Sequence, residues 1–220
     1  MRFFGITALL LAAAALTASA TPVTLTLSPV TAAPFYQQTT NNPCVLGDPS
    51  CKGPSGWTWT VFDANPPGNA YTNVMSPTYT VSQILGVVGS SAFLIGVDVN
   101  QTNVVQTLGY FAMTVNGDVV AEFAPTNPVN VPPTSGGGNG NGWADYVLSG
   151  FNLSGFAGTD SVQFTVTMPL VNDGREEFFL ISTPSQEPPP PIPEPTTSAL
   201  IGGGLVGIGV LFRRRARKQD

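Results

Sequence analysis

Two cysteines are the residues whose spacing most plainly implies chemistry. Cys44 and Cys51 bracket Val-Leu-Gly-Asp-Pro-Ser, and the chain has no other cysteine and no histidine. In an oxidising compartment, a close pair flanking Gly and Pro predicts a structural disulfide. Closing a loop of this length contributes about 2.5 kcal/mol in the chain-entropy description. A metal or redox pair is the alternative, but metal sites use shorter spacing and more ligands. Without histidine, Ser-His-Asp and Cys-His catalysis are excluded, as is His-ligated zinc.

Carboxylates are the other reactive groups. A pair acting on a glycosidic bond must sit about 5 Å apart for retention and about 6.5–9.5 Å apart for inversion. Asp118 and Glu122 share a strand face but are separated by about 13 Å along it. Glu176 and Glu177 are adjacent and point to opposite faces of a strand. No such pair stands out locally, so the chain is expected not to be an enzyme.

Asp98-Val-Asn100-Gln-Thr102 begins like an EF-hand loop, then has Asn103 where Gly is needed and Gly109 where Glu belongs. Asp98, Asn100 and Asp173 are left as candidates for a weaker Ca²⁺ site; no other metal or cofactor is expected. The Gly-rich stretch ending at Gly142 is followed by Trp143-Ala144-Asp145, not by Lys and Ser or Thr, so it is no phosphate cradle. Trp57, Trp59 and Trp143 are candidates for a sugar-stacking platform, although Trp57 and Trp59 have core periodicity.

The elements that must position these groups read as all-β. Residues 23–27, 57–61 and 162–168 alternate apolar with Thr or Gln at period two, and residues 93–100 and 145–153 are further strand candidates. Trp57, Trp59 and Val61 are expected to face inward. Residues 81–88 are the one candidate for a short helix. Asn116-Gly117 predicts a two-residue type I′ hairpin turn. Its register sets Met113 opposite Val120, Ala112 opposite Ala121 and Tyr110 opposite Phe123, in a central hairpin covered on two sides. Asn172-Asp173-Gly174 suggests another tight turn before a last strand at 176–182. Residues 125–142 carry four prolines and then the Gly-rich run, and read as a surface loop. The fold expected is an antiparallel two-sheet sandwich, of which a jelly roll is one form.

Both ends fall outside that body. Arg2, the apolar stretch 3–16 and Ala18-Ser19-Ala20 form a secretory signal peptide, cut after Ala20 to leave Thr21 first. At the other end, residues 188–192 make a proline-rich spacer. Pro193-Glu194-Pro195 follows, and then an apolar run of 14 residues from Ala199 to Phe212, five of them glycine. As a helix this run spans about 21 Å, barely enough for a single short transmembrane segment. Arg213, Arg214, Arg215, Arg217 and Lys218 form a cytoplasmic basic stop. The domains expected are therefore 1–20, a β-sandwich body at 21–187, the spacer at 188–192 and a tail at 193–220.

A proline-flanked Glu, a short Gly-rich apolar helix and an Arg cluster, in that order, resemble the PEP-CTERM sorting signal of Gram-negative bacteria. The same signal is also called an ice-binding protein C-terminal domain, a label that says nothing of ice. The resemblance implies recognition by an exosortase, a membrane-embedded cysteine transpeptidase, and removal of the tail near the motif. It also implies export, with the precursor anchored transiently in the inner membrane, its body in the periplasm, and the mature form at the cell surface or outside the cell.

Charge agrees with an extracellular setting. Only Lys52 and Arg175 are basic in the body, against eleven acidic residues, which leaves it near −9 while the whole chain is −5. Nucleic acid is thereby excluded as a partner, since phosphate binding needs clustered Lys and Arg. The expected function is a non-catalytic surface or extracellular-matrix protein associated with exopolysaccharide. A carbohydrate- or calcium-binding adhesion module is the alternative, and a secreted glycan-active enzyme a distant third. The partners expected are signal peptidase and an exosortase during export, and exopolysaccharide afterwards.

Overall fold

The computed structural model describes residues 21–100, 106–134, 142–171 and 174–183. In chain order the elements are β1 (Val23–Thr24), β2 (Thr26–Pro29), β3 (Cys44–Gly47), β4 (Thr60–Val61), β5 (Tyr71–Met75), β6 (Tyr79–Thr80), α1 (Val81–Val88), β7 (Ala92–Asp98), β8 (Thr107–Leu108), β9 (Tyr110–Val115), β10 (Asp118–Phe123), β11 (Val129–Asn130), β12 (Tyr146–Asn152), β13 (Ser161–Met168) and β14 (Glu177–Ser182). One sheet runs β1-β10-β9-β13-β5, with β6 also on β13; the other runs β2-β12-β7-β14-β3-β4. They form the expected sandwich.

Phenylalanines fill the space between the sheets. Phe111 and Phe164 come from β9 and β13 of the first sheet; Phe93, Phe151 and Phe178 come from β7, β12 and β14 of the second. Phe93 stacks on Phe151 at 5.1 Å and Phe111 on Phe178 at 5.4 Å, while Phe164 meets Phe93 edge-on. Period-two alternation carries these rings inward, as the strictly alternating burial of β13 shows. α1 begins at a capping box: Thr80 Oγ1 accepts from the Gln83 N–H and Gln83 Oε1 from the Thr80 N–H. Its Val81, Ile84 and Val88 join the same core.

Both sheets are mixed where fully antiparallel ones were expected. β1 pairs with β10 in parallel and β3 with β4 in parallel; the other pairs are antiparallel. Parallel neighbours require a crossing connection, and each case has one. The N-terminal strand passes from the first sheet to the second at buried Leu25, so its two halves pair with different sheets. β4 lies beyond a long connection, residues 48–59, that carries Cys51.

Three other expectations are corrected. The hairpin turns at Asn116-Gly117, but a β-bulge between Val119 and Ala121 moves the register by one. Ala121 opposes Met113, Glu122 opposes Ala112 and Phe123 opposes Phe111. The bulge brings the small Ala121 to the core, and β10 is only half covered. Val61 is 46 % exposed, and Phe62, stacked on Tyr71 at 4.3 Å, faces the core instead. Within 125–142 the described part is mostly exposed, as expected, but Val129 and Asn130 pair with β8 and Val131 is fully buried, so the loop is pinned there and not free along its length.

Strand β14 is buried on both faces. Phe178 and Leu180 join the intersheet core, whereas Phe179 and Ile181 pack with Val30, Cys44, Cys51 and Ala144 in a second cluster on the outer face. Tyr36 and Trp59 pack against that cluster too, so the segments on either side of β3 cover the outer face of β14. Opposite Phe179 stands Gly96, where a Cβ would lie 2.6 Å from the Phe179 ring.

At the hairpin turn, Asn116 has φ 53° and Gly117 φ 90°, both left-handed, and a Cβ at 117 would meet nothing. Gly117→Val is therefore a backbone substitution alone, placing a β-branched residue where φ is positive. It is expected to cost about 1–3 kcal/mol, seen as a lower denaturant midpoint with an unchanged slope; an unchanged midpoint would refute the turn's role.

Candidate functional site, a polar cleft over buried carboxylates

Three adjacent strands of the second sheet, β12, β7 and β14, bring acidic residues to the same end. Asp98 closes β7, Glu177 opens β14 with Glu176 just before it, and Asp145 stands just before β12, where its N–H donates to Val97 O at 2.8 Å. All four side chains are buried: Asp98 and Glu176 are 0 % exposed, Asp145 2 % and Glu177 5 %. Alternation separates them. Asp98 and Glu177 are directly opposed and share the outer face with Gly96 and Phe179, whereas Glu176 turns toward Gln106 and Asn100.

Backbone amides of the described residues hold four of the eight carboxylate oxygens. Asp98 Oδ2 accepts from the Gly142 N–H at 2.8 Å. Asp145 Oδ2 accepts from the Val99 N–H at 2.9 Å, and its Oδ1 from the N–H and hydroxyl of Thr134. Glu176 Oε2 accepts from the Asn100 N–H at 2.6 Å, and its Oε1 from Gln106 Nε2. Among the described residues Asp98 Oδ1, Glu177 Oε2 and Gln106 Oε1 have no hydrogen-bond partner.

Above them lies a cleft of about 430 Å³ lined by Gln37, Gln38, Asp48, Ser50, Lys52, Asn100, Gly142 and Glu177. Two short segments build one wall: Gln38 N–H donates to Gly142 O at 2.6 Å, and Ala144 N–H to Tyr36 O at 2.9 Å. The disulfide-closed loop builds the other through Asp48, Ser50 and Lys52. Cys44 and Cys51 are joined, as their spacing predicts, and a Glu177 carboxylate oxygen lies within 4.8 Å of both sulfurs. Since those sulfurs are bonded to each other, they offer no thiolate ligand. Trp57 and Trp59 brace this loop through indole N–H bonds to Cys44 O and Asp48 O. Trp57 also stacks on Tyr79 at 4.5 Å, so these two are structural and form no sugar platform.

Burial sets the electrostatics. It pushes the Asp98 carboxyl up to about 8, helped by the charges of Glu177, Asp145 and Glu176 and opposed by the Gly142 N–H. Burial likewise raises Glu176 to about 8 against the bonds from Asn100 and Gln106. Glu177 rises to about 7 through burial and the charge of Asp48, with Lys52 opposing. Asp145 is raised by burial despite its three donors. Asp48 differs: hydrogen bonds from Ser50 and Arg175 outweigh its burial and hold it low, and Arg175 pairs with it at 3.3 Å.

Of the three residues proposed for a weak Ca²⁺ site, the structure places Asp98 beside the cleft and Asn100 in its lining, while Asp173 lies outside the described residues. Asp145, Gln38, Gln106 and Thr134 were missed, and Glu176 and Glu177 were weighed only as a catalytic pair, on opposite faces as the structure has them. The signal for the acids was present: each abuts a strongly apolar strand, as in Glu176-Glu177-Phe-Phe-Leu-Ile, where a carboxylate cannot escape burial. Ala18, Ala20, the Pro193-Glu194-Pro195 motif, the apolar run 199–212 and the basic stop also lie outside the described residues; Thr21 is the first residue described.

Comparison with known proteins identifies the tail. Residues 191–215 match the family described as the PEP-CTERM protein-sorting motif, which takes in Pro193-Glu194-Pro195, the apolar run and the first arginines. The protein carries that motif, and so is an exported, exosortase-sorted protein made as a membrane-anchored precursor in a Gram-negative bacterium. No curated protein and no solved structure matches the chain.

The raised carboxyls fix the direction of a pH effect. In EDTA-treated protein the native state holds protons more tightly than the unfolded chain at Asp98, Glu176 and Glu177. Stability is therefore fullest below the ordinary carboxylate range, near pH 4, and is lost as pH rises toward about 8. The unfolding midpoint should be higher at about pH 5 than above pH 8. Asp98→Asn keeps an acceptor for the Gly142 N–H and should flatten this slope. A midpoint that climbs across the window would contradict the burial of these groups.

Proposed function

We propose that the mature body is a non-catalytic surface or extracellular-matrix protein associated with exopolysaccharide. The observation that carries this reading is the ordered tail: a proline-flanked glutamate, a short Gly-rich apolar run and a basic stop, matched as a sorting motif over 191–215. Signal peptidase removes residues 1–20, the body crosses into the periplasm, and the apolar run holds the precursor in the inner membrane. The exosortase then removes the tail and the body passes to the cell surface. Its surplus of acidic residues, eleven against two basic, suits a hydrated extracellular setting.

The carboxylate arrangement supports a non-catalytic role. A glycosidase needs both carboxyls exposed on either side of the scissile bond. Here Glu177 lines the cleft while its cross-strand neighbour Asp98 is completely buried. The other carboxyl that lines the cleft, Asp48, is held by Arg175 at 3.3 Å and by the Ser50 N–H, so it is committed to its loop.

The cleft favours a second reading, that of a carbohydrate-binding adhesion module. Gln37, Gln38, Ser50 and Asn100 offer both donors and acceptors, the kind of lining that hydroxyl-rich ligands require. Calorimetric titration of the released protein with the host's own exopolysaccharide separates the two: saturable binding lost in Gln38→Ala identifies a module, and absence of heat leaves a matrix component without a defined sugar site.

The sorting route is tested at Glu194, the only charge of the motif. Glu194→Ala leaves the apolar length intact, so an unprocessed, membrane-retained precursor with a folded body is expected to accumulate. Intact-mass analysis of the wild-type surface protein should show an N-terminus at Thr21 and loss of residues 199–220. Normal trimming and release of the Glu194→Ala protein would refute exosortase recognition through this motif.

A further inference from the structure

We propose that Asp98 and Glu177 together bind one calcium ion at the floor of the polar cleft. The two residues are directly opposite in the antiparallel ladder of β7 and β14, a position that sets their Cβ atoms about 5 Å apart on one face. Each presents one carboxylate oxygen, Asp98 Oδ1 and Glu177 Oε2, with no hydrogen-bond partner among the described residues. Both side chains are more than nine-tenths buried, and unpartnered polar atoms at such depth are costly and uncommon. Nor do the two carboxyls hydrogen-bond to each other, so a shared proton does not account for them. A single cation between them satisfies both: two oxygens at Ca–O distances of about 2.3–2.6 Å lie within about 5 Å of one another.

The surroundings are built for a cation. Gly142 N–H fixes Asp98 Oδ2 and so sets the free oxygen, while Glu177 opens on the cleft through which an ion and its waters enter. Two further oxygens line that cleft. Gln38 gives its Nε2 to the carbonyls of Lys52, Thr39 and Asn42, and Asn100 gives its Nδ2 to Arg175 O, which leaves each an amide oxygen as acceptor. With water these complete the six to eight oxygens that calcium takes (about 6–8). The local charge is net negative: Asp145 and Glu176 stand behind the pair, Arg175 is already paired to Asp48, and Lys52 is, among the described residues, the one cation lining the cleft beside Glu177.

Donor chemistry chooses the metal. Every available ligand is a hard oxygen; the chain has no histidine, and both cysteines are in the disulfide. That set disfavours zinc and copper and suits calcium or magnesium. Magnesium requires a compact octahedron and keeps its waters, so an irregular cleft of carboxylates and amides selects the larger ion.

The test uses the purified full-length protein in detergent, stripped with EDTA and titrated with CaCl₂ by calorimetry. One equivalent is expected to bind, with a dissociation constant at or below the range of extracellular calcium modules (about 10⁻⁴–10⁻³ M). Binding should raise the thermal midpoint and weaken at least about tenfold in Asp98→Asn and in Glu177→Gln. Asp118→Asn, on the hairpin, should bind as wild type. Hydrogen exchange of the wild-type protein provides a readout that does not depend on the variants folding: calcium should slow exchange at residues 97–100 and 176–179. No binding up to about 10 mM CaCl₂, protection elsewhere in the chain, or unchanged affinity in both folded variants would overturn the proposal.

Discussion

The double burial of β14 is the constraint on which the rest of the structure depends. An edge-to-edge sandwich would leave the outer face of this strand in water, yet Phe179 and Ile181 are as deeply buried as Phe178 and Leu180. The segments flanking β3 make that possible, packing Val30, Tyr36, Cys51 and Trp59 over the outer face, and the Cys44–Cys51 bond ties the second of them to β3. Burying a phenylalanine stabilises by about 1.5–3 kcal/mol, so this outer cluster matters as much as part of the intersheet core. The approach is close. Gly96 has no side chain because the Phe179 ring occupies the space that a Cβ would fill.

The same cover creates the cleft. Without it, Asp98, Asp145 and Glu177 would end their strands in solvent and titrate as ordinary carboxyls. Beneath residues 36–38 and 142–144 they lose water and keep only what the backbone offers: Gly142 for Asp98, Val99 and Thr134 for Asp145. One amide for Asp98, two for Asp145 and, among the described residues, none for Glu177 is a small return for dehydrating a charge. Four such groups at one end of a sheet are hard to explain as packing alone, since any of them could be an amide or a hydroxyl at lower cost. Buried, mutually repelling acids beside a cleft mark a functional site more often than a structural one.

Much of this fold was legible and the site was not, for a physical reason in each case. Period-two alternation marked β13 and the N-terminal strand at 23–27, and Asn-Gly marked the hairpin turn, because side-chain direction and left-handed backbone are local properties. The bulge at Val120 was invisible, since it depends on which residue of β9 the core draws opposite Ala121. So was the parallel pairing of β1 and β4, which follows from where long connections cross. The disulfide could be read from spacing. The carboxylate cluster could not, because Asp98, Asp145 and Glu177 are far apart in the chain and meet only through the strand order β12-β7-β14. Each one alone looked like a strand-end acid; only the sheet makes them neighbours.

Address and body follow different physics in this chain. The tail is legible from short-range features, a charge between prolines and a barely sufficient apolar length. The body's chemistry depends on long-range pairing and on a disulfide that forms only outside the cytoplasm. Export therefore comes before function in a physical sense: until Cys44 and Cys51 are oxidised, the cover over β14 lacks its tie, and the wall that the disulfide gives the cleft is incomplete. Hard-oxygen sites of modest affinity likewise suit an extracellular setting, where calcium is abundant, better than a cytoplasm that keeps it scarce. The sorting motif thus delivers the body to the compartment where both its cross-link and its buried carboxylates make chemical sense.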